Sequence, residues 1–205
     1  MLERVLKLFY KDVDGEFTIL QIARRIGVSY SYVYRQVELL TRQGIISINV
    51  SGRRKYCKPN YENPRVLSIL VKISAEETQN FLSTRKKIAF IVKELLSRLP
   101  QKTNYNLLSV ILYGSFVKST QVNKSDIDLF VLVPSKERYD EIVENECISL
   151  TGRYGVEVSP LVSEPQSFLN MLREREHNVA KEILKDKVVL YGAEKFWELV
   201  LGVIK

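Results

Sequence analysis

The stretch "LYGSFVKSTQVNKSDIDLFVLV", Leu112 to Val133, contains the features that decide the fold of the second half of the chain. It begins in an apolar run that ends in Gly114-Ser115. After ten further residues, Asp126-Ile127-Asp128 leads directly into a second apolar run. Both runs have the length and composition of buried strands. Because burying a carboxylate is costly unless it is paired or bound to a metal, the two aspartates indicate a functional site at the edge of a sheet.

The residue types around this stretch favour a metal site beside a phosphate site. Asp126 and Asp128 are two residues apart, so on a strand they project from the same face. Two adjacent carboxylates repel unless a cation lies between them, and hard oxygen ligands suit Mg²⁺. Glu157, the acidic residue of the β-rich run "GVEVSPLV", is predicted to join them from a neighbouring strand. Gly114 and Ser115 lie at a predicted strand-to-helix turn, where backbone N–H groups and the hydroxyl can bind phosphate.

The spacing of Gly-Ser, ten residues and Asp-x-Asp, followed by a carboxylate on a later strand, resembles the signature of the polymerase-β-like nucleotidyltransferase superfamily. The segments "VILYGS" and "SDIDLFVLV" resemble its minimal nucleotidyltransferases in particular, and the resemblance covers about residues 107–192. It implies a site with two Mg²⁺ ions. The implied metal ligands and catalytic residues are Asp126, Asp128 and Glu157. The implied nucleotide-binding residues are Gly114, Ser115 and Lys118.

The same resemblance implies a reaction. A nucleoside monophosphate would be transferred to a hydroxyl group. The default donor is ATP, which would transfer AMP, and another nucleoside triphosphate is left as an alternative. Either Asp128 or Glu157 would help to deprotonate that hydroxyl. Small prokaryotic members of the superfamily are commonly paired with helical toxins of the HEPN type, so the resemblance also implies adenylylation of such a partner in an antitoxin-like role. The residue after Lys118 is often Gly in that family and is Ser119 here.

The first 60 residues predict three helices followed by a hairpin. The first helix is indicated by apolar residues at helical spacing from Leu2 to Phe9. Apolar residues recur at helical spacing in "ILQIARRIG" and "YSYVYRQVELLTRQG", with Thr18 and Ser29 as N-caps and Gly27 in the turn between them. "IISINV" then alternates apolar and polar residues, and Ser51-Gly52 supplies a turn into a basic returning strand. This order resembles the winged helix-turn-helix family of DNA-binding domains.

The winged-helix resemblance implies double-stranded DNA as a partner. The residues predicted to contact DNA are Ser29, Tyr30, Ser31, Tyr34, Arg35 and Gln36 on the second helix and Arg53, Arg54 and Lys55 on the hairpin. Residues 1–60 contain 11 Lys and Arg against 5 Asp and Glu, whereas residues 61–205 contain 20 against 19. The basic excess therefore lies in the segment for which a polyanionic partner is predicted.

The predicted fold class is α+β with two domains. A winged helix-turn-helix domain is expected over 1–60, a linker and connecting helix over 61–106, and a nucleotidyltransferase domain with a small mixed sheet over 107–205. Within the middle segment, "SAEE" from Ser74 predicts a helix N-terminus, and Pro100 predicts the end of that helix. The cluster Arg85-Lys86-Lys87 is interpreted as a solvated face, and the segment "SEPQSFLNMLREREHNVAKEILKD" is expected to be helical.

Several classes of function are disfavoured by the sequence. The chain has one histidine, His177, and two distant cysteines, Cys57 and Cys147, so a zinc site or a His-dependent triad is not expected. No run approaches the roughly 18 apolar residues of a membrane helix, and a cytoplasmic protein without a membrane partner is expected. A homodimer is left open. The alternative function is a DNA-binding transcriptional regulator whose nucleotidyltransferase domain senses a nucleotide or is inactive.

Overall fold

The structure is a computed structural model that describes residues 1–118 and 126–204. The chain divides into two compact units, the first formed by Met1–Ile73 with Ile204 and the second by Ser74–Val203. The described residues belong to the α+β class and include two small sheets. Within the described ranges, no helix has the length and apolar character that crossing a membrane requires.

The first unit contains three complete helices, the first half of a fourth, and a three-stranded antiparallel sheet in the order β1-β3-β2. The bounds of its elements are α1 Leu2–Lys11, β1 Phe17–Thr18, α2 Ile19–Ile26, α3 Tyr30–Arg42, β2 Ile46–Ser51 and β3 Arg54–Pro59. The predicted caps are confirmed: the Thr18 hydroxyl accepts from the N–H of Gln21 in a capping box, and the Ser29 hydroxyl accepts from the N–H of Tyr32. Gly27 ends α2 in the left-handed conformation.

The helices of the middle segment differ from the prediction. Helix α4 runs through Pro64–Ser83 and α5 through Lys86–Lys102. Ser74 therefore lies inside α4 and is not a cap; its buried hydroxyl accepts a hydrogen bond from Nε1 of Trp197 at 2.8 Å. Pro100 does not stop α5 at once: it lies in the last turn, and the helix ends two residues after it, at Lys102.

The second unit has a four-stranded mixed sheet in the order β6-β5-β4-β7, in which β5 and β6 are parallel and the other pairs antiparallel. The remaining bounds are β4 Ser109–Tyr113, α6 Ser115–Lys118, β5 Ile127–Leu132, α7 Lys136–Tyr154, β6 Val158–Ser163, α8 Pro165–Arg173, α9 Val179–Lys185, β7 Val188–Tyr191 and α10 Ala193–Ile204. All four predicted strands are present. The segment expected to be helical after β6 forms two helices, with His177 exposed between them.

Alternation along β5 assigns its two faces to different helices. Ile127, Leu129 and Val131 belong to the apolar core that contains buried side chains of α5 and α7. Phe130 points to the other face, where its ring lies 5.2 Å from the ring of Phe168 on α8. Side chains two apart share a face, so Asp128 projects on the Phe130 side, at the beginning of the strand. A carboxylate thus lies at the beginning of an inner strand of the sheet, and farther along this strand both faces are packed.

Candidate active site

Gly114 is placed at the turn between β4 and α6 by a conformation that other residues avoid. Its φ is +73°, in the left-handed region, and a Cβ built on it would lie 2.1 Å from Oδ2 of Asp128 and 2.9 Å from its Cγ. The backbone N–H of Ser115, the next residue, donates a hydrogen bond to Asp128. The Gly-Ser pair and the aspartate on the neighbouring strand are therefore in direct contact, as the antiparallel pairing of Tyr113 with Asp128 requires.

The two aspartates form a site of concentrated negative charge. Asp128 is partly buried, and burial, followed by the charges of Asp126 and of Glu182, raises its pKa. The hydrogen bond from Ser115 and the charge of Lys118 act in the opposite direction. Two close carboxylates, whose like charges repel, provide the hard oxygen donors that Mg²⁺ takes from proteins. The donor set at Asp126 and Asp128 therefore fits the predicted metal, and these two residues would hold it.

Glu157 is not grouped with the two aspartates in this structure. Glu157 immediately precedes β6 and is exposed, and its carbonyl oxygen accepts a hydrogen bond from the N–H of Ile127 at 2.8 Å. The main chain thus lies beside the start of β5. Over residues 1–118 and 126–204, however, no group of three or more His, Cys, Asp or Glu residues could hold a metal ion. A metal site of three carboxylates therefore stays a prediction.

Lys118 is engaged by a residue that the sequence did not single out. Its ammonium forms an ion pair with Oε1 of Glu182, which lies on α9. The hydrogen bond from Lys118 to Glu182 is the main cause that raises the pKa of Lys118. Tyr113, at the end of β4, belongs to the same cluster: burial and then the charges of Asp128 and Glu182 raise its pKa. Ser119, noted for its departure from the family pattern, lies outside the described residues.

A cavity of about 290 Å³ lies next to this site along the chain. Its apolar wall includes Phe116, which follows Ser115, and Ile127, which separates the two aspartates. The cluster Arg85-Lys86-Lys87 also lines it, and the Arg85 guanidinium stacks over the ring of Phe81 at 4.2 Å. Lys86 and Lys87 are exposed, in agreement with the interpretation of this cluster as a solvated face, whereas Arg85 is half-buried.

In the first unit, the structure brings together one part of the predicted DNA-contact set. A groove of about 570 Å³ is bordered by tyrosines of α3 and by the hairpin tip, namely Tyr30, Tyr34, Arg53, Arg54 and Lys55. The rings of Tyr30 and Tyr34 are 6.2 Å apart. The remaining predicted contacts, Ser29, Ser31, Arg35 and Gln36, are on α3 or at its cap and do not border the groove. Thr18, Gln21 and Tyr56 border it without having been predicted.

Comparisons with known proteins agree with the geometry of the second unit. The family described as "Polymerase beta, Nucleotidyltransferase" matches residues 94–196. A protein of Methanocaldococcus jannaschii named "Putative protein adenylyltransferase" is 30% identical over 124 residues, which cover 58% of this chain and 82% of that protein. A second protein of the same organism with the same description is 26% identical over 100 residues, 49% of this chain and 94% of that protein.

Two solved structures show weaker likeness. One is the homodimeric winged helix-turn-helix DNA-binding domain of a Mycobacterium bovis protein, with 24% identity, a TM-score of 0.31, and coverage of 37% of this chain and 68% of that chain. The other is a toxin–antitoxin crystal structure with AMP-PNP, with 18% identity, a TM-score of 0.38, and coverage of 54% and 82%. Scores this low carry no argument. By the family match and the first Methanocaldococcus relative, the chain belongs to the polymerase beta nucleotidyltransferase family.

Proposed function

We propose that the second unit is an active, Mg²⁺-dependent nucleotidyltransferase that transfers AMP from ATP to a hydroxyl group of a partner protein. The observation that carries the proposal is the contact between the Gly114-Ser115 turn and Asp128, with the charge of Asp126 beside it. This contact supports a phosphate-binding role for the turn and a metal-binding role for the two carboxylates beside it. The name of the Methanocaldococcus relatives supports ATP as donor and a protein as acceptor.

In the proposed reaction, the acceptor oxygen forms a bond to the α-phosphorus of the nucleotide, and the bond between that phosphorus and the pyrophosphate oxygen breaks. The hydroxyl proton passes to a carboxylate, Asp128 or Glu157, and pyrophosphate leaves. Mg²⁺ held by Asp126 and Asp128 would neutralise the charge of the triphosphate and of the leaving group. The turn at Gly114-Ser115 and the ammonium of Lys118 would orient the phosphates.

The test of the proposed transfer is a titration calorimetry experiment with MgATP on the wild type and on an Asp126→Ala/Asp128→Ala variant. Binding by the wild type and its loss in the variant are expected, because the variant lacks both metal-binding carboxylates. Glu194→Ala/Glu198→Ala, which removes two carboxylates from α10, is the matched control and should bind normally. Mass spectrometry of candidate acceptors after incubation then detects AMP transfer. Equal binding by wild type and the double aspartate variant would refute the site.

We further propose that the first unit is a winged helix-turn-helix domain that binds double-stranded DNA. The order of its elements, the two capped helices and the basic hairpin support this, as does the groove shared by Tyr30, Tyr34 and Arg53–Lys55. Arg and Lys at the hairpin tip would bind phosphates, and the exposed beginning of α3 would face base edges. An antitoxin-like role towards a helical partner of the HEPN type stays a prediction that rests on the family resemblance.

The alternative function is a DNA-binding regulator whose second unit senses a nucleotide or is inactive. The concentration of basic charge in residues 1–60 favours DNA binding under either function. The two functions differ in the chemistry of Asp126 and Asp128. A wild-type protein that binds a specific duplex and MgATP, yet transfers no AMP to any acceptor, would favour nucleotide sensing. Binding of the duplex by a protein that does not bind MgATP at all would favour an inactive second unit.

A further inference from the structure

The cation predicted to bind the nucleotide phosphates is already occupied by an acidic side chain of the same unit. Lys118 is the last residue of α6, four residues after Gly114, and its ammonium contacts Oε1 of Glu182 on α9. The two residues are 64 positions apart in the chain, so the contact depends on the fold and not on local sequence. An ammonium held by a carboxylate has fewer donors to offer a phosphate.

Glu182 also lies within electrostatic reach of the carboxylate site. Its charge is among the causes that raise the pKa of Asp128 and of Tyr113. The negative charge of Glu182 is thus felt where a triphosphate, itself strongly negative, is proposed to bind. An incoming polyphosphate would meet repulsion from Glu182 and would compete with it for Lys118.

We propose that Glu182 occupies, in the nucleotide-free protein, the position on Lys118 that a nucleotide phosphate takes on binding, and that this exchange sets the affinity for the nucleotide. The inference rests on the proposed function, because it requires that the second unit bind a polyphosphate. Glu182 is a positioning residue in this account, since it acts through Lys118 and not on the reacting atoms.

The exposure of the pair limits the size of the effect. The side chain of Lys118 is 35% exposed and that of Glu182 is 30% exposed. An ion pair with this degree of exposure favours the arrangement in which Lys118 is paired with Glu182 over the unpaired one by about fivefold at most. When a binding-competent arrangement is only partly populated, the apparent affinity falls by the populated fraction. Removing the carboxylate should therefore tighten nucleotide binding about three- to fivefold and should not act as an all-or-none switch.

The experiment is a double-mutant cycle on the full chain with Glu182→Gln, Lys118→Gln and the double variant. MgATP and inorganic tripolyphosphate are titrated separately by calorimetry, and thermal unfolding verifies that each variant is folded. Glu182→Gln is expected to tighten both ligands about three- to fivefold, and Lys118→Gln to weaken both. Removing the Glu182 carboxylate is expected to tighten binding less in the Lys118→Gln background than in the wild type, because only the repulsion is then relieved. In a transfer assay, Glu182→Gln should lower the KM for ATP with kcat unchanged.

The matched control is the pair Lys195–Glu198 on α10, whose nitrogen and oxygen are 3.1 Å apart with side chains 46% and 45% exposed. Glu198→Gln makes the same charge change on a similar ion pair and is expected to leave both affinities unchanged. Two results would overturn the exchange: weaker binding by a folded Glu182→Gln protein, or equal tightening with and without Lys118, which would mean repulsion alone.

The two proposals fail in different ways. If AMP is transferred but Glu182→Gln leaves both affinities unchanged, the exchange is wrong and the proposed function stands. If tripolyphosphate shows the expected pattern but no acceptor receives AMP, the exchange stands and the proposed transfer is wrong. If the wild type binds neither MgATP nor tripolyphosphate, both are refuted.

Discussion

Gly114 is constrained twice, by its backbone conformation and by its neighbour. A positive φ is strained for any residue with a Cβ, and here the Cβ would also meet Oδ2, Cγ and Cβ of Asp128 at 2.1, 2.9 and 3.2 Å. The carboxylate cannot escape by rotating its tip alone, because Cγ and Cβ are also too close. A side chain at Gly114 would therefore displace the aspartate that is proposed to bind the metal.

Gly114→Ala is expected to lower the free energy of unfolding by about 2–3 kcal/mol and to weaken MgATP binding about tenfold or more. Gly155, at the C-terminus of α7, is the matched control: its φ is +61°, and a Cβ added there would meet no atom within 4 Å. Gly155→Ala should therefore show only the backbone strain, about 1–2 kcal/mol, with normal nucleotide binding. Denaturant unfolding and calorimetry measure both effects. Identical behaviour of the two variants would contradict the role of the contact with Asp128.

Of the residues around Asp128, the sequence predicts Asp126 and Gly114 but not Glu182. The pair Asp126 and Asp128 follows from strand alternation, and its proximity to Gly114 follows from two strands that pair. Glu182 has no such signal, because it lies in a charged helical segment where many acidic residues look alike. Only the packing of α9 near β4 distinguishes it from them.

Among the helices, local rules were correct where the partner of a side chain is local. Thr18 and Ser29 cap their helices through N–H groups three residues ahead. Ser74 has the same type of sequence context, yet its hydroxyl is used by Trp197, 123 positions away in the chain. A capping-box pattern describes only the nearby N–H groups that the Ser74 hydroxyl could accept from. The indole N–H of Trp197 is buried and needs an acceptor, which the hydroxyl provides. The predicted helix start at Ser74 was wrong because α4 already begins at Pro64, so the N–H groups that follow Ser74 lie inside the helix and need no cap.

Ser74→Ala is expected to lower the free energy of unfolding by about 1–3 kcal/mol, because the buried Nε1–H of Trp197 loses the acceptor at 2.8 Å. Ser68→Ala makes the same chemical change in the same helix at an exposed residue, where the hydroxyl only bonds back to the carbonyl of Pro64. It should stay within about 0.5 kcal/mol of the wild type. Urea unfolding followed by tryptophan fluorescence compares them, and equal stability of the two variants would show that the indole hydrogen bond is dispensable.

At the scale of the whole molecule, charge and chemistry are divided along the chain. The net charge of +7 is carried almost entirely by residues 1–60, whereas the carboxylate site lies in the second unit. The predicted domain ranges, 1–60, 61–106 and 107–205, stay a prediction, as does the winged-helix assignment. Composition could predict that a polyanion binds the first part of the chain, because charge is a long-range property. It could not predict the groove, which requires α3 and the hairpin to lie side by side.

If that division is correct, the salt dependence of DNA binding belongs to the hairpin tip and not to the total charge. Arg53→Ala/Arg54→Ala in the full chain should weaken duplex binding and lower the slope of log affinity against log salt by about 1–2, roughly one unit for each phosphate that is no longer neutralised. Lys136→Ala/Lys195→Ala removes the same charge from exposed positions of the second unit and should leave the slope unchanged. Mobility-shift titrations across a salt series measure both variants. Equal slopes for the two variants would mean that net charge alone governs the binding, and the groove beside Tyr30 and Tyr34 would then have no special role.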